Sequence, residues 1–252
     1  MFEMQHIYTV AVMALVFAPL ELLLPARKAP RPTLGRYRTD LLHAAIGGFL
    51  IRIGTVIVLG LVVPIGIGPD WIATSPLWLQ FIAVLLISDL MFWIAHRLYH
   101  AVPLLWRFHR IHHSSEHLDW LAAFRVHPVD QIVNASLIAA PTLMLGFSPA
   151  ALLIYITIYK WHAILLHSNL KISFGPLSWL FITPGFHHWH HANQEEAYDR
   201  NFGGQLTIWD RMFGTYHAAA QPRPDVYGVE NPPPESFIAQ ILEPFMPGPK
   251  NG

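Results

Sequence analysis

The sequence predicts an all-α fold, an integral-membrane helical bundle, and three observations carry that expectation. Of the 252 residues, 53% are hydrophobic and only 13% charged, about half the charged share of an ordinary soluble domain. Apolar stretches approaching the ~20 residues that cross a hydrocarbon core recur along the first two-thirds of the chain. Most of the 16 histidines gather in three short groups, at 96–100, 109–113 and 187–191. Acidic and basic residues balance at 16 each, so no basic field exists to attract nucleic acid, and no nucleic-acid partner is expected.

The first apolar stretch is Ile7–Leu24, interrupted by Glu21. Its start, MFEMQH, carries Glu3, and the basic cluster follows the stretch instead of preceding it. That order is wrong for a cleavable signal peptide, so a retained membrane anchor is expected. Leu41–Ile67 comes next, with Arg52 inside it and Gly47, Gly48, Gly54 and Gly60 spaced as small packing residues. Leu77–Ala95 is the third stretch. The region 132–166 is apolar but broken at GFSP, where Ser148 suits a cap and Pro149 a helix start, so it reads as a hairpin of two helices.

Orientation follows from charge. The 26–40 connection holds Arg27, Lys28, Arg31, Arg36 and Arg38, which the positive-inside rule assigns to the cytoplasm. Two crossings then return the chain to that side at His96, and a hairpin of even parity keeps it there. A multi-pass membrane protein is expected, with all three histidine groups in a helical cap on the cytoplasmic face. The proline-rich tail from Pro222 (PRPDVYGVENPPPESF) reads as an extended surface segment. No internal repeat is visible. The chain divides into membrane-anchoring helices at 1–84, a histidine-bearing region at 85–216 that includes the hairpin 132–166, and a tail at 217–252.

His96 and His100 are four apart, so both imidazoles lie on one helix face. His109, His112 and His113 have spacing i, i+3, i+4, which projects them from one stripe, and His187, His190 and His191 repeat it. A lone histidine near lipid, such as His6 or His43, reads as an interfacial residue that snorkels or hydrogen-bonds, and its replacement should do little. Eight clustered imidazoles do not. Without a metal, desolvation and like-charge repulsion would oppose folding; with one, each neutral ring donates its lone pair inward and its other N–H to an acceptor behind it. Candidate acceptors are Asp89, Glu116, Asp119, Asp130, Glu195, Glu196 and Asp199. With no cysteine in the chain, imidazole is the abundant transition-metal ligand. Four ligands satisfy a structural zinc and three a catalytic one, so two ions fit the count better than one.

A ninth ligand is expected from the hairpin. His162 and His167 are five apart and point about 140° from each other on a helix. His167, at the hairpin's end, is the better ligand, which leaves His162 in the core or behind the site. His117 is an outside candidate. His188, about 100° from its neighbours, is expected to face substrate or solvent. His127 either orients the second histidine group or makes a structural hydrogen bond before Pro128. Asp210 and Arg211 read as an ion pair or a turn.

With HxxxH at 96–100, HxxHH at 109–113 and HxxHH at 187–191, the sequence resembles the fatty acid hydroxylase/sterol desaturase superfamily of integral-membrane histidine-box di-iron oxygenases. FRVHP at 124–128 is similar to the family segment after the second box, and HSN at 167–169 to its intermediate histidine. NFGGQLTIWDRMFGTY at 201–216 looks like the closing segment, with Phe202 where tyrosine is common and Met212 where leucine is common. The resemblance covers most of 85–216. It implies two irons held by His96, His100, His109, His112, His113, His167, His187, His190 and His191, with no catalytic side chain beyond these ligands. It further implies O2 as co-substrate, a membrane lipid as substrate, and hydroxylation or desaturation of a lipid C–H bond.

No GxGxxG fingerprint is present, and His127-Pro128 is followed by Val129-Asp130, unlike the His-Pro-Gly-Gly of a fused cytochrome b5. Electrons are therefore expected from a separate reductase, ferredoxin or cytochrome. Two other classes compete with an oxygenase: a metal-ion transporter and a di-zinc membrane hydrolase. Transporters place polar ligands inside their spans, whereas here the histidines flank them.

Overall fold

The structure, a computed structural model, describes residues 2–28, 33–66, 68–219 and 221–246. Arg31, Ile67 and the side chain of His6 lie outside what is described. Eleven α-helices follow in order: α1 (Phe2–Leu23), α2 (Leu34–Leu42), α3 (Gly48–Val62), α4 (Asp70–Thr74), α5 (Leu77–Ala101), α6 (Pro103–His113), α7 (Pro128–Met144), α8 (Pro149–His167), α9 (Pro184–His190), α10 (Ile208–Phe213) and α11 (Phe237–Leu242). Only isolated β-bridges occur among the described residues.

Among the described residues three helical stretches are long and apolar enough to cross a membrane: Leu34–Val62, Leu77–Ala101 and Pro149–His167. The first is α2 and α3 joined through a π-helical turn at His43–Gly47. It starts seven residues before the expected Leu41, because Thr33 caps it by accepting a hydrogen bond from the Arg36 N–H. The described apolar part of α1, Tyr8–Leu23, is shorter than these three. The hairpin is present as read: Ser148 Oγ accepts from the Ala151 N–H, and Pro149 opens α8. Its first arm, α7, carries Pro141 inside. Gly54 lets α3 approach α7 closely, since a Cβ there would stand 2.3 Å from Ile132 Cδ1 and push that side chain aside. Val84 of α5, Ile138 and Ala139 of α7, and Ala151, Leu152 and Tyr155 of α8 form the core between these helices.

The end of the bundle that carries the histidines is braced by charge. Arg36 Nε lies 3.3 Å from Asp40 Oδ2 and Arg36 Nη2 2.7 Å from Asp119 Oδ2, while Arg125 Nε stands 2.6 Å from Asp40 Oδ1. Arg36 and Arg38 therefore sit in a helix, and Arg36 is a buried ion-pair partner rather than a free loop charge. The described start of the basic connection lies beside the histidines: Pro25 bridges Leu170, and Arg27 N–H donates to Asn169 Oδ1, two residues beyond His167.

Two expectations are corrected here. His43 is 1% exposed and no interfacial residue: its Nδ1 lies 3.1 Å from the Val126 carbonyl and its Nε2 2.8 Å from Gln240 Oε1. The tail is not simply extended over the surface. It folds back, forms α11, buries Phe237 and Gln240, and receives Arg110 on Glu243.

Asp40→Ala should strand the buried Arg125 guanidinium and leave Arg36 with Asp119 alone. Removing one partner of such a set costs about 3–5 kcal/mol, so the variant's thermal midpoint in detergent should fall by many degrees. His43→Ala should lower it too, by less; unchanged midpoints for both would refute the brace.

Candidate metal centre

A break between α5 and α6 creates the site. Val102 is extended (φ −103°, ψ 114°) and Pro103 starts α6 at once, so the histidine face of α5 folds against that of α6. Thr183 accepts from the Phe186 N–H and Pro184 starts α9, which brings in the third group. His167, the last residue of α8, completes it.

Nine imidazoles converge there in two adjoining pockets. His96, His100, His109, His113 and His190 form one, and His112, His167, His187 and His191 the other; within each, one nitrogen per ring lies within 4.8 Å of every other. In the second pocket the Nε2 atoms touch: His167 to His112 at 3.1 Å, His187 to His167 at 3.0 Å, and His191 to His187 at 3.1 Å. The rings of His113 and His191 stack at 4.4 Å across the boundary.

Each HxxHH group thus serves both pockets. His109 and His113 turn to the first while His112 turns to the second; His187 and His191 turn to the second while His190 turns to the first. A stripe of i, i+3, i+4 spans about 100° of helix, wide enough to straddle a wall between two ions.

What lies behind the rings tests whether a metal fits. His96 Nδ1 donates to the Phe202 carbonyl (2.8 Å), His112 Nδ1 to Arg125 (3.1 Å), His190 Nδ1 to Arg200 (2.9 Å) and His167 Nδ1 to Ala163 (2.7 Å). His109 Nδ1 donates to Asp130 Oδ2 at 2.9 Å. Those bonds place the proton on Nδ1 and leave the Nε2 lone pair facing the pocket. The Nε2 atoms of His96, His100, His109, His113 and His190 are buried and have no hydrogen-bond partner among the described residues. Buried polar atoms are normally satisfied. Five orphaned acceptors aimed at one point fit a cation.

Burial, reinforced by neighbouring imidazoles, pushes His112, His113, His187 and His191 well below the ordinary histidine range. Burial pushes His190 down to about 3. The rings are neutral at physiological pH, as metal ligands must be.

Of the proposed acceptors, Asp130 alone bonds a ring. Asp199 stands 3.8 Å from His100 Nδ1, too far for a hydrogen bond. Asp89 and Asp119 hold backbone and indole or guanidinium groups instead. The carbonyls that carry four of the nine rings were missed, since a backbone acceptor has no residue signature; FRVHP and NFGG, which contain or adjoin three of them, were the available signal. His188 is corrected: it faces neither substrate nor solvent, being 1% exposed with Nδ1 2.7 Å from the Tyr227 hydroxyl and Nε2 between the His167 and Ser168 carbonyls. Asp210 is no partner of Arg211. It accepts from the Phe202 and Gly203 N–H groups, Trp93 Nε1 and Thr215 Oγ1, while Arg211 lies over the Tyr216 ring at 3.9 Å. His127 accepts from the Val129 N–H, a helix cap, and donates to Ile241. Both nitrogens of His162 are engaged, by Gln205 and Ile182, and neither His162 nor His117 belongs to a pocket.

Fold and site together define a class: an all-helical membrane protein that gathers buried imidazoles into two adjoining pockets able to bind metal. The chain belongs to the fatty acid hydroxylase family, whose model matches residues 81–215. It is 31% identical to an ornithine lipid hydroxylase of Rhizobium tropici, over 97% of this chain and 75% of that protein. It is also 31% identical to the alkylglycerol monooxygenase of Homo sapiens, over 62% of this chain but only 34% of the relative. Identity to methylsterol monooxygenase 1 of Rattus norvegicus is 28%, over 59% and 52%. The chain thus spans three-quarters of the first relative and about a third to a half of the other two. No solved structure matches it. These relatives are hydroxylases and monooxygenases, hence oxidoreductases, and lend no support to the transporter or hydrolase readings.

The lowered histidine pKa values set a pH dependence. The unfolded chain protonates these rings near 6.5, whereas the folded one holds them neutral down to about 3 for His190. Below 6.5 the unfolded state binds more protons, so stability is full above that value and lost as pH falls. Metal-free protein should therefore melt at a much lower temperature at about pH 5 than at about pH 7.5; equal midpoints would mean that the rings are not buried together.

Proposed function

We propose that this protein is a membrane-bound, O2-dependent di-iron oxygenase that hydroxylates a C–H bond of a membrane lipid. One observation carries the reading: nine imidazoles, from three histidine groups and the end of α8, meet as two pockets at one end of the apolar helices. The ligand assignment is His96, His100, His109, His113 and His190 to one iron, and His112, His167, His187 and His191 to the other. The relatives' names favour hydroxylation over desaturation and a lipid as substrate.

Iron held by these residues would supply, with two electrons from a separate donor and two protons, the chemistry that puts one atom of O2 into a C–H bond and releases the other as water. The chain's residues provide the rest. Carbonyls of Ala163, Arg125, Arg200 and Phe202, with the Asp130 carboxylate, hold the rings in the tautomer and orientation a metal needs. Trp106 packs 5.0 Å from His100 and 5.4 Å from His113, and Phe202 5.2 Å from His100. These rings keep bulk water from the first pocket and offer an apolar wall to a hydrocarbon. His100 is the least enclosed of the nine ligands, so the reacting carbon approaches from its side.

In this reading residues 1–84 anchor, 85–216 carry the site and 217–252 brace it. The chain crosses the membrane several times, with the site cytoplasmic because the Arg27 connection lies beside it. Reporter fusions after Lys28, Glu116 and Glu195 should all report the cytoplasm; opposite sides for Glu116 and Glu195 would be incompatible with one shared site.

The direct test supplies purified, iron-loaded protein with a donor system, lipid extract and isotopically heavy O2. One heavy oxygen atom should appear in a lipid product, with two irons bound per chain. His113→Ala and His191→Ala should each abolish turnover while still inserting in membranes. Heavy oxygen absent from every lipid, or full activity in either variant, would exclude this function.

A further inference from the structure

Residues 172–182 and 203–213 belong to no crossing helix, yet they lie against the middle of α5 and the last third of α8. Asp89 is the midpoint of the 25-residue α5, roughly 18 Å from either end at 1.5 Å per residue. Its carboxylate accepts from the Gln205 N–H (2.7 Å), the Leu206 N–H (3.0 Å) and Trp209 Nε1 (3.1 Å). His162, inside α8, is bonded to Gln205 Oε1 and the Ile182 carbonyl. A Cβ on Gly204 would stand 2.8 Å from Phe92 and 3.0 Å from Asp89, so the backbone is pressed directly onto α5.

At such depth, irregular backbone is tolerated only when protein satisfies its polar groups. Here it is. Asp210 takes the Phe202 and Gly203 N–H groups, and Asp89 takes the next two non-glycine ones. Ile182 N–H donates to the Gln205 carbonyl, Thr207 N–H to Leu180, and Thr207 Oγ1 to Trp179. Two fully buried carboxylates spent on backbone donors would be superfluous where water could reach those donors.

The outer side of the same segments is apolar. Leu177 is 60% exposed, Trp179 65%, Met212 63% and Phe213 51%. Arg211 lies beside Trp179 at 5.5 Å, a long basic side chain whose charged head can reach the membrane–water boundary from an apolar surface. We propose that residues 172–182 and 203–213 form a re-entrant shoulder immersed in the acyl-chain region of the bilayer, on the side that carries the histidines. The proposal rests on the reading that α5 and α8 cross the membrane. Lipid chains are the occupant of this surface because it adjoins, at mid-depth, helices whose own outer faces already need them: Ile82 and Leu86 of α5 and Leu153 and Ile158 of α8 are all exposed.

The chain has no cysteine, so single replacements carry one probe each. Full-length Leu177→Cys, Met212→Cys, Ile82→Cys and Tyr198→Cys variants, each with a thiol-linked fluorophore, would be placed in phosphatidylcholine vesicles. Quenching by acyl-chain nitroxide lipids would be compared with quenching by aqueous iodide. The shoulder should behave like Ile82 on α5: Leu177→Cys and Met212→Cys strongly quenched by the lipid nitroxides, several-fold more than Tyr198→Cys on the cap, and little by iodide. Iodide quenching at both shoulder positions with lipid quenching at Ile82→Cys would overturn the shoulder alone. So would resistance to both quenchers, the mark of cover by a second copy or another protein. Loss of lipid quenching at Ile82→Cys as well would remove the crossing helices with it. Variants on two separate segments guard against one misfolded preparation.

Discussion

Everything in this molecule answers to one constraint: nine imidazoles must stay neutral, buried and correctly turned with their Nε2 lone pairs aimed inward. A cluster of that kind is unfavourable by itself, because burial and mutual repulsion both oppose any proton it takes up. It is held by what stands behind the rings. Four backbone carbonyls and one carboxylate take Nδ1–H bonds, and they come from four separate segments: the last turn of α8, residue 125, the run 200–202, and Asp130 on α7. The run 199–202 is shaped for this task. Asp199 and Asn201 adopt positive φ values of 54° and 61°, costly for non-glycine residues. Asn201, fully buried, offsets that cost by bonding the Phe186 and His217 carbonyls and the His217 N–H. The result points the Arg200 and Phe202 carbonyls at His190 and His96.

Buried aspartates do the same work at a larger scale. In a chain with only 13% charged residues, Asp40, Asp89, Asp130 and Asp210 are each 2% exposed or less. Each ties an irregular segment to a helix: Asp40 the 125 region to α2, Asp89 and Asp210 the run 202–210 to α5, and Asp130 the second histidine group to α7. A carboxylate has about four acceptor positions, so one side chain can collect several donors from backbone that no helix satisfies. Apolar packing between α5, α7 and α8 is non-directional and could not set ring orientations within an ångström. These carboxylates can.

Much of this was legible in the sequence, and the boundary of legibility is physical. Helical phase is readable from spacing, which is why His96 and His100 were expected on one helix face and His109, His112 and His113 on one stripe. The division of each HxxHH group between two pockets was not, because a stripe's width does not reveal where the wall between ions falls. His43 was misread because a single histidine in an apolar stretch carries no sign of the Gln240 it meets 197 residues later. Asp130 could be named only among seven acidic candidates, since most ring acceptors are carbonyls. The tail's prolines suggested an extended path, yet Phe237 and Gln240 are buried by contacts formed only after folding.

The family match, 81–215, runs from α5 to α10 and contains all nine histidines together with Asp89, Asp130 and Asp210. What lies outside it reaches the site indirectly. Arg36 and Asp40 of α2 grip Asp119 and Arg125; His43 holds the Val126 carbonyl, and Gln240 of α11 holds His43. The Arg125 carbonyl that turns His112 is therefore braced from both ends of the chain. Such a brace acts through a few polar contacts on a segment inside the match, so its sequence can vary widely provided those contacts are replaced. That separation is consistent with relatives of very different length, among which the human alkylglycerol monooxygenase aligns with 62% of this chain and the Rhizobium hydroxylase with 97%.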